Sequence, residues 1–233
     1  MHYLFLVPIL LISLTLHEVS HGFIAYLLGD DTAYRKGRLT LNPIRHLDPI
    51  GLLMFVIFKF GWAKPVPINP YNFDNQKKGM AITAAAGPVV NFIIALLFCF
   101  IFKLFINTFG NDILIYLNNN QTALEGHQMI YRLKLILGKA IALTILYNFA
   151  LGIFNLIPFP PLDGSKILGG FLPDDLYYRY TAQERKGMMI FVIILLASSI
   201  FNLNIIGKLI LPPMFFVMDI FIDLNWLILL IQQ

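Results

Sequence analysis

Long apolar segments separated by shorter polar ones dominate the pattern of this chain. A helix needs about 20 apolar residues to cross the hydrocarbon core of a bilayer. Four segments reach that length, and they cover about residues 3–28, 80–106, 135–159 and 187–206. The pattern therefore predicts an all-α integral membrane protein, built as a polytopic helical bundle.

The last apolar run, at residues 209–231, is interrupted. It contains Pro212 and Pro213, and it carries Asp219 and Asp223 about one helical turn apart. A carboxylate at the centre of a bilayer costs at least about 2.5 kcal/mol on insertion scales. We therefore expect a broken or interfacial helix here, and a total of four to six spans.

The segment between the first two spans has a different character. GRLTLNP, at 37–43, alternates like a short strand, whereas GLLMFVIFKF, at 51–60, is apolar but too short to span as a helix. GWAKPVPINPYNF, at 61–73, is rich in proline and reads as extended. We predict a re-entrant element with a short β element between spans 1 and 2, inside a single membrane-embedded domain over residues 1–233.

Composition and charge support a lipid environment and give an orientation. Hydrophobic residues make up 58% of the chain and charged ones 13%, against about 45–50% and 25% in soluble domains. The loops after spans 1 and 3 share one side of the membrane and carry most of the basic residues: Arg35, Lys36, Arg38, Arg45, Lys59, Lys64, Lys77, Lys78, Lys166, Arg179, Arg185 and Lys186. Positive loops face the cytoplasm. The net charge of +4 thus indicates a multi-pass protein of the cell membrane rather than a partner of nucleic acid.

The sequence HEVSH, at residues 17–21, places three ionisable side chains inside the first apolar segment. His17 and His21 are spaced i, i+4, so that on a helix both imidazoles can reach one metal ion. Glu18 stands where a general base could take a proton from a water molecule at the metal. Ionisable residues within a membrane segment are by default a functional hypothesis, so a metal centre is favoured over a structural cluster.

A catalytic zinc site uses three protein ligands and one open position, so a third ligand is needed. His2, His46 and His127 fall at a chain end or in loops. Asp163 follows the end of span 3, which runs parallel to span 1, and the nearby prolines break the helix at membrane depth. The expected ligand set is therefore His17, His21 and Asp163, holding one Zn²⁺ per chain.

These motifs resemble those of the site-2 protease family, the intramembrane zinc metalloproteases of peptidase family M50. HEVSH matches the family's H-E-x-x-H, AGPVVN at 86–91 matches its G-P-x-x-N element, and NLIPFPPLDG at 155–164 matches its N-x-x-P-x-x-P-L-D-G. The resemblance covers about residues 10–200 and is closest to compact prokaryotic members without an inserted PDZ domain.

The resemblance implies a zinc held by His17, His21 and Asp163, with Glu18 as the base. It also implies that Asn155 contacts the substrate backbone or the developing oxyanion. A side-chain amide is a plausible donor for that role, although the same amide could instead bond a carbonyl freed near Pro158. The implied substrates are transmembrane proteins or peptides, cleaved within or next to their transmembrane segments, with the active site towards the cytoplasm.

Two other classes of function compete with this interpretation. Intramembrane histidines and aspartates also mark ion pathways, so a metal or ion transporter is one alternative, and an inactive scaffold that binds helices is another. A transporter has no need for a glutamate beside the ligand pair. A membrane protease acting on soluble or lipidated tails would use a glutamate as third ligand, and no apolar segment after Glu18 carries one. The sequence leaves the oligomeric state open.

Overall fold

The computed structural model describes residues 2–58, 61–118 and 128–232. This part of the chain folds almost entirely into helices, in the order α1 (His2–Leu27), α2 (Thr32–Arg35), α3 (Pro49–Phe58), α4 (Gln76–Asn118), α5 (Gln128–Asn155), α6 (Asp163–Phe171), α7 (Asp174–Ala182), α8 (Glu184–Ile200), α9 (Ile205–Phe221) and α10 (Leu224–Gln232). The long apolar segments therefore form helices, as expected for the helical membrane protein that the sequence predicts.

Three of the described helices are long and apolar enough to cross a membrane. Their candidate spans are Leu6–Leu27, Gln76–Leu117 and Met129–Asn155, and the number rises to four at most if α8 and α9 together form one span. The prediction of four to six spans is therefore not confirmed.

The continuous fourth span predicted at 187–206 is not formed. α8 ends at Ile200, and α9 starts at Ile205 with its axis turned by 95°. Asn202 and Asn204, between the two helices, have φ values of +51° and +48°. Asparagine tolerates this left-handed backbone better than most residues, so the sequence FNLN at 201–204 provides the turn. A second break, at residues 222–223, separates α9 from α10.

The core lies between the long antiparallel helices α4 and α5. Phe102 and Phe105 of α4 and Ile145 and Phe149 of α5 are at most 5% exposed. Met214 and Met218 of α9 and Leu227 and Leu230 of α10 pack into the same cluster. The C-terminal helices therefore cover one side of the α4–α5 pair, while α1 packs against another part of it.

The segment between α1 and α4 contains no strand among the residues that can be described. GRLTLNP, at 37–43, forms a bend and the start of a 3₁₀ turn. A single antiparallel bridge joins Leu47 to Ala63, next to a 2.8 Å bond from Lys64 N to His46 O. The predicted short β element is therefore not confirmed. Most of the apolar segment 51–60, for which a re-entrant element is predicted, lies in α3. The last two residues of that segment lie outside the described ranges.

The carboxylate of Asp30 fixes this segment to the end of α1. Asp30 is fully buried and accepts hydrogen bonds from the backbone N–H of Thr32 at 3.1 Å and of Asn69 at 2.7 Å, and from the Asn72 side chain at 2.7 Å. The segment before α4 is thus tied to α1 at two points, by Asn69 at Asp30 and by Val66 at Glu18.

Candidate metal centre

The two histidines of the HEVSH motif lie on the inner face of α1. His17 and His21 are 4% and 6% exposed, because their helix packs against α4. Their Nε2 atoms are 3.1 Å apart, and the two rings meet edge to face. One helical turn thus brings both imidazole nitrogens to the same point, as the i, i+4 spacing predicts.

Asp163 reaches the same point from the far end of α5. Its Oδ2 atom lies 3.1 Å from His17 Nε2 and 3.3 Å from His21 Nε2. The chain leaves α5 at Asn155, passes through a tight proline-rich loop, and starts α6 at Asp163. A Cβ on Gly164 would lie 2.2 Å from the carbonyl oxygen of Leu156, so only glycine permits the loop to fold back this closely.

The three ligand atoms have the spacing of a tetrahedral zinc site. Bonds of about 2.0–2.1 Å to nitrogen and oxygen give tetrahedral edges of about 3.3 Å, and the observed edges are 3.1, 3.1 and 3.3 Å. Asp163 Oδ2 is buried and has no hydrogen-bond donor among the residues that the structure describes. A buried carboxylate oxygen without a donor costs free energy unless a cation neutralises it, so these residues fit a metal ion.

Gly87 of α4 provides the space at the centre of this group. A Cβ on Gly87 would lie 2.5 Å from His21 Nε2 and 2.6 Å from His17 Nε2. Any other residue would therefore collide with the two nitrogens that are to hold the ion. The signal in the sequence that could have indicated this role is the place of Gly87 in the AGPVVN motif.

α4 supports both histidines from two residues that are eight positions, or about two helical turns, apart. The Nδ1 atom of His21 bonds the backbone carbonyl of Thr83 at 2.8 Å, and the Nδ1 atom of His17 bonds Asn91 Oδ1 at 2.6 Å. Thr83, Gly87 and Asn91 thus form one stripe that faces His21, the ligand centre and His17 in turn. Partners of this kind orient metal-binding imidazoles.

Glu18 is held by the proline-rich segment that runs beside α1. Its Oε2 atom accepts a 2.8 Å hydrogen bond from the backbone N–H of Val66. A Cβ on Gly22 would lie 2.9 Å from the Val66 side chain, so this glycine permits the close approach. The sequence does not predict this contact, because 48 residues separate its two partners.

Asn155 has a local partner in this structure. Its Nδ2 atom donates to the carbonyl of Leu151, one turn earlier in α5, at 3.0 Å. That carbonyl is not one freed by Pro158, and the second N–H and the side-chain oxygen of Asn155 stay available. A contact between Asn155 and substrate remains a prediction.

Comparison with known families assigns the chain. A family model described as peptidase family M50 matches residues 69–199, which is more than half of the 233 residues. The chain belongs to peptidase family M50. This confirms the family that the motifs indicate. The matched region includes Gly87, Asn91 and Asp163 of the site, whereas α1 with its two histidines precedes it.

Relatives of this M50 chain include bacterial proteins over most of its length. It is 35% identical to "Putative zinc metalloprotease YwhC" of Bacillus subtilis, over 82% of this chain and 79% of that protein. It is 25% identical to "Putative zinc metalloprotease Rip2" of Mycolicibacterium smegmatis and of Mycobacterium tuberculosis, over 82% of this chain and 66% of each of those proteins. No solved structure matches the chain.

Proposed function

We propose that this protein is an intramembrane zinc metalloprotease that hydrolyses peptide bonds within or next to transmembrane segments. His17, His21 and Asp163 hold the zinc, and Glu18 is the general base. The observation that carries the proposal is the triangle of three buried ligand atoms, with edges of 3.1–3.3 Å, beside a glutamate whose carboxylate is already oriented.

The zinc, when bound, polarises the scissile carbonyl and lowers the pKa of the attacking water to about 7. Glu18 does the proton transfer. Its Oε2 atom is bonded to Val66, so Oε1 is the oxygen that takes the proton from the water. The water oxygen forms a bond to the carbonyl carbon, the C–N bond breaks, and Glu18 passes the proton to the leaving amine.

A transmembrane substrate must unwind before its peptide bond can reach this site, because a helix uses its own amides in internal hydrogen bonds. Val66 lies beside Glu18, and the backbone of residues 63–69 around it could pair with an unwound substrate in strand fashion. Asn155 would contribute a further amide donor to the substrate backbone. The basic loops set the orientation of the protein, with the site towards the cytoplasmic side.

Zinc analysis combined with a cleavage assay on purified transmembrane substrates tests this function. We expect one zinc per wild-type chain and cleavage at a site in or next to the substrate helix. Glu18→Gln should retain the zinc and lose cleavage, because it keeps the ligands but removes the base. Asp163→Asn should weaken zinc binding.

The same variants separate the enzyme from the alternatives. A transporter would move metal across proteoliposome membranes, would keep that transport in Glu18→Gln, and would cleave nothing. Wild-type protein that binds helices without zinc and without cleavage would be a scaffold. Either result would refute the proposed hydrolysis.

A further inference from the structure

A chain of buried side-chain hydrogen bonds starts at His17 and crosses three helices. Asn91 Oδ1 on α4 bonds His17 Nδ1 at 2.6 Å, and Asn91 Nδ2 donates to Asn148 Oδ1 on α5 at 2.9 Å. Asn148 Nδ2 in turn donates to the Thr144 carbonyl at 2.8 Å and to Ser13 Oγ on α1 at 2.9 Å. Asn91 and Asn148 are completely buried and Ser13 is 3% exposed, so water cannot replace these partners.

The direction of every bond in this chain follows from one group, the Thr144 carbonyl. A backbone carbonyl only accepts hydrogen bonds, and a neutral amide side chain has one donating and one accepting end. The end of Asn148 that faces Thr144 must therefore be its NH₂ group, so its oxygen faces Asn91. By the same reasoning, Asn91 turns its NH₂ group to Asn148 and its oxygen to His17.

That direction decides which nitrogen of His17 carries the proton. An oxygen facing Nδ1 requires an N–H on Nδ1, because two acceptors would otherwise meet at 2.6 Å. In the neutral ring, Nε2 is then unprotonated and presents its lone pair to His21 and Asp163. His21 has the same tautomer. Its Nδ1 atom faces the Thr83 carbonyl directly, so Nδ1 carries the proton and Nε2 does not.

We infer that Asn91 and Asn148 are positioning residues that fix the tautomer and ring orientation of His17 for metal binding, with the Thr144 carbonyl as their anchor. Turning one amide over would place two donors or two acceptors together, and turning both would place Asn148 Oδ1 against the Thr144 carbonyl. Such contacts are costly at buried sites. Ser13 is not needed for the direction, because a hydroxyl can donate or accept. The inference rests on the proposed metal site.

Two substitutions at Asn148 separate the effect of hydrogen-bond direction on zinc binding from the effect of side-chain packing. Asn148→Asp presents an oxygen to Asn91, whether the carboxyl is ionised or protonated, so Asn91 keeps its orientation towards His17. Asn148→Leu keeps the branching and the number of side-chain heavy atoms but has no polar atom to offer Asn91, so the direction is lost. Both variants disturb the contact with Thr144, so both should lower the stability of the metal-free protein.

The test measures zinc affinity by competition with a chelator, and thermal unfolding of the metal-free form, in the full chain purified in detergent. Zinc affinity should fall about 10–100-fold in Asn148→Leu, the usual cost of losing an outer partner of a metal ligand. It should stay close to the wild-type value in Asn148→Asp and in Ser13→Ala. The absorption spectrum of the Co²⁺-loaded protein should change in Asn148→Leu only. Asn148→Ala removes the same amide with less bulk and serves if the leucine variant does not fold.

The possible failures can be told apart. If wild type binds no zinc, or if His17→Ala binds it equally well, the proposed function and this inference both fall. If wild type binds zinc through His17 but Asn148→Leu keeps that affinity, only the inference falls. Equal losses of affinity in Asn148→Asp and Asn148→Leu, in proportion to their stability, would reduce Asn148 to a packing residue and would also overturn it.

Discussion

Val66 donates its backbone N–H to the Oε2 atom of Glu18 at 2.8 Å, and it does so from between two prolines, Pro65 and Pro67. Proline has no backbone N–H and a fixed φ. The tripeptide Pro65–Val66–Pro67 therefore offers Glu18 a single donor, in a stretch of backbone that is already stiff. A shift of one residue would bring a proline to the carboxylate and break the bond.

Replacing Val66 by proline should lower the cleavage rate while the protein retains its zinc. The substitution removes the donor to Glu18 and also changes the buried side chain beside Gly22, so the zinc content of the variant shows whether the site itself stays intact. General acid–base catalysis contributes roughly 10²–10⁴-fold to the rate. A misaligned base should lose only part of this, so we expect kcat to fall about tenfold. Pro67→Ala leaves the Val66 N–H in place and is the matched control. Equal rates in the two variants would show that Val66 does not orient the base.

Replacing Gly87 by alanine should prevent zinc binding. The added methyl group would lie 2.5–2.6 Å from both imidazole Nε2 atoms, in the volume that an ion needs. The measurement is bound zinc per chain after purification. Gly169→Ala is the control, because its Cβ would make only ordinary 3.4 Å contacts with Tyr177. A zinc-loaded Gly87→Ala variant would argue that the ion lies elsewhere.

Removing zinc should destabilise the wild-type protein but not a variant without the ligand set. A ligand that binds only the folded state stabilises it by about 4 kcal/mol at a free concentration of about 1,000 times its Kd. The unfolding temperature of wild type should therefore fall when a chelator is added. His21→Ala should unfold at the same temperature with and without chelator, and a drop in that variant would point to a second ion.

Asp30 should stabilise the protein at neutral pH and lose this effect in acid. Burial alone would raise the pKa of Asp30, but hydrogen bonds from Thr32, Asn69 and Asn72 outweigh it and hold the pKa below its usual value. A carboxyl with a lower pKa in the folded state stabilises fully above its unfolded pKa, about 3.9, and loses this contribution as the pH falls through the folded pKa.

Asp30→Asn should therefore lower the free energy of unfolding by about 1.5–3 kcal/mol at pH 7, the range for hydrogen bonds to a charged group. The difference from wild type should shrink below about pH 4. Denaturant unfolding at several pH values measures it. Asp31→Asn is the matched control: its ion pair with Arg35 is exposed, so it should cost well under 1 kcal/mol. A gap between wild type and Asp30→Asn that does not change with pH would contradict the assignment.

Local patterns were enough to predict the long helices and the three side chains that meet at the candidate metal centre. His17 and His21 share a helix, so their spacing alone brings them together. Asp163 could be added because a charged residue after a proline-broken helix has few reasons to lie at membrane depth. Both predictions depend on local features, the i, i+4 spacing on a helix and the cost of burying a charge, and such features can be read from the sequence alone.

The sequence was less informative where the structure depends on contacts between distant segments. The hydrogen bond between Glu18 and Val66, and the one between Asn91 and Asn148, join residues 48 and 57 positions apart. The alternation in GRLTLNP predicted a strand, but pairing needs a partner, and within the described ranges only Leu47 and Ala63 form a bridge. Hydropathy also could not predict the turn at Asn202 and Asn204, because their left-handed backbone conformation is independent of polarity.

The length of α4 has a consequence for the shape of the protein in its bilayer. Its 43 residues, at 1.5 Å per residue, make a rod of about 64 Å, whereas the hydrocarbon layer is about 30 Å thick. Even with a strong tilt, the rod projects beyond the lipid. The ion pair between Asp112 and Lys134 and the stacked rings of Tyr116 and Tyr131 join it to α5 near the end opposite the ligand triangle. Trp226 of α10 packs beside Gly110 at the same end, so three helices meet there, and an antibody fragment raised against this end would mark the molecule without blocking the ligand triangle.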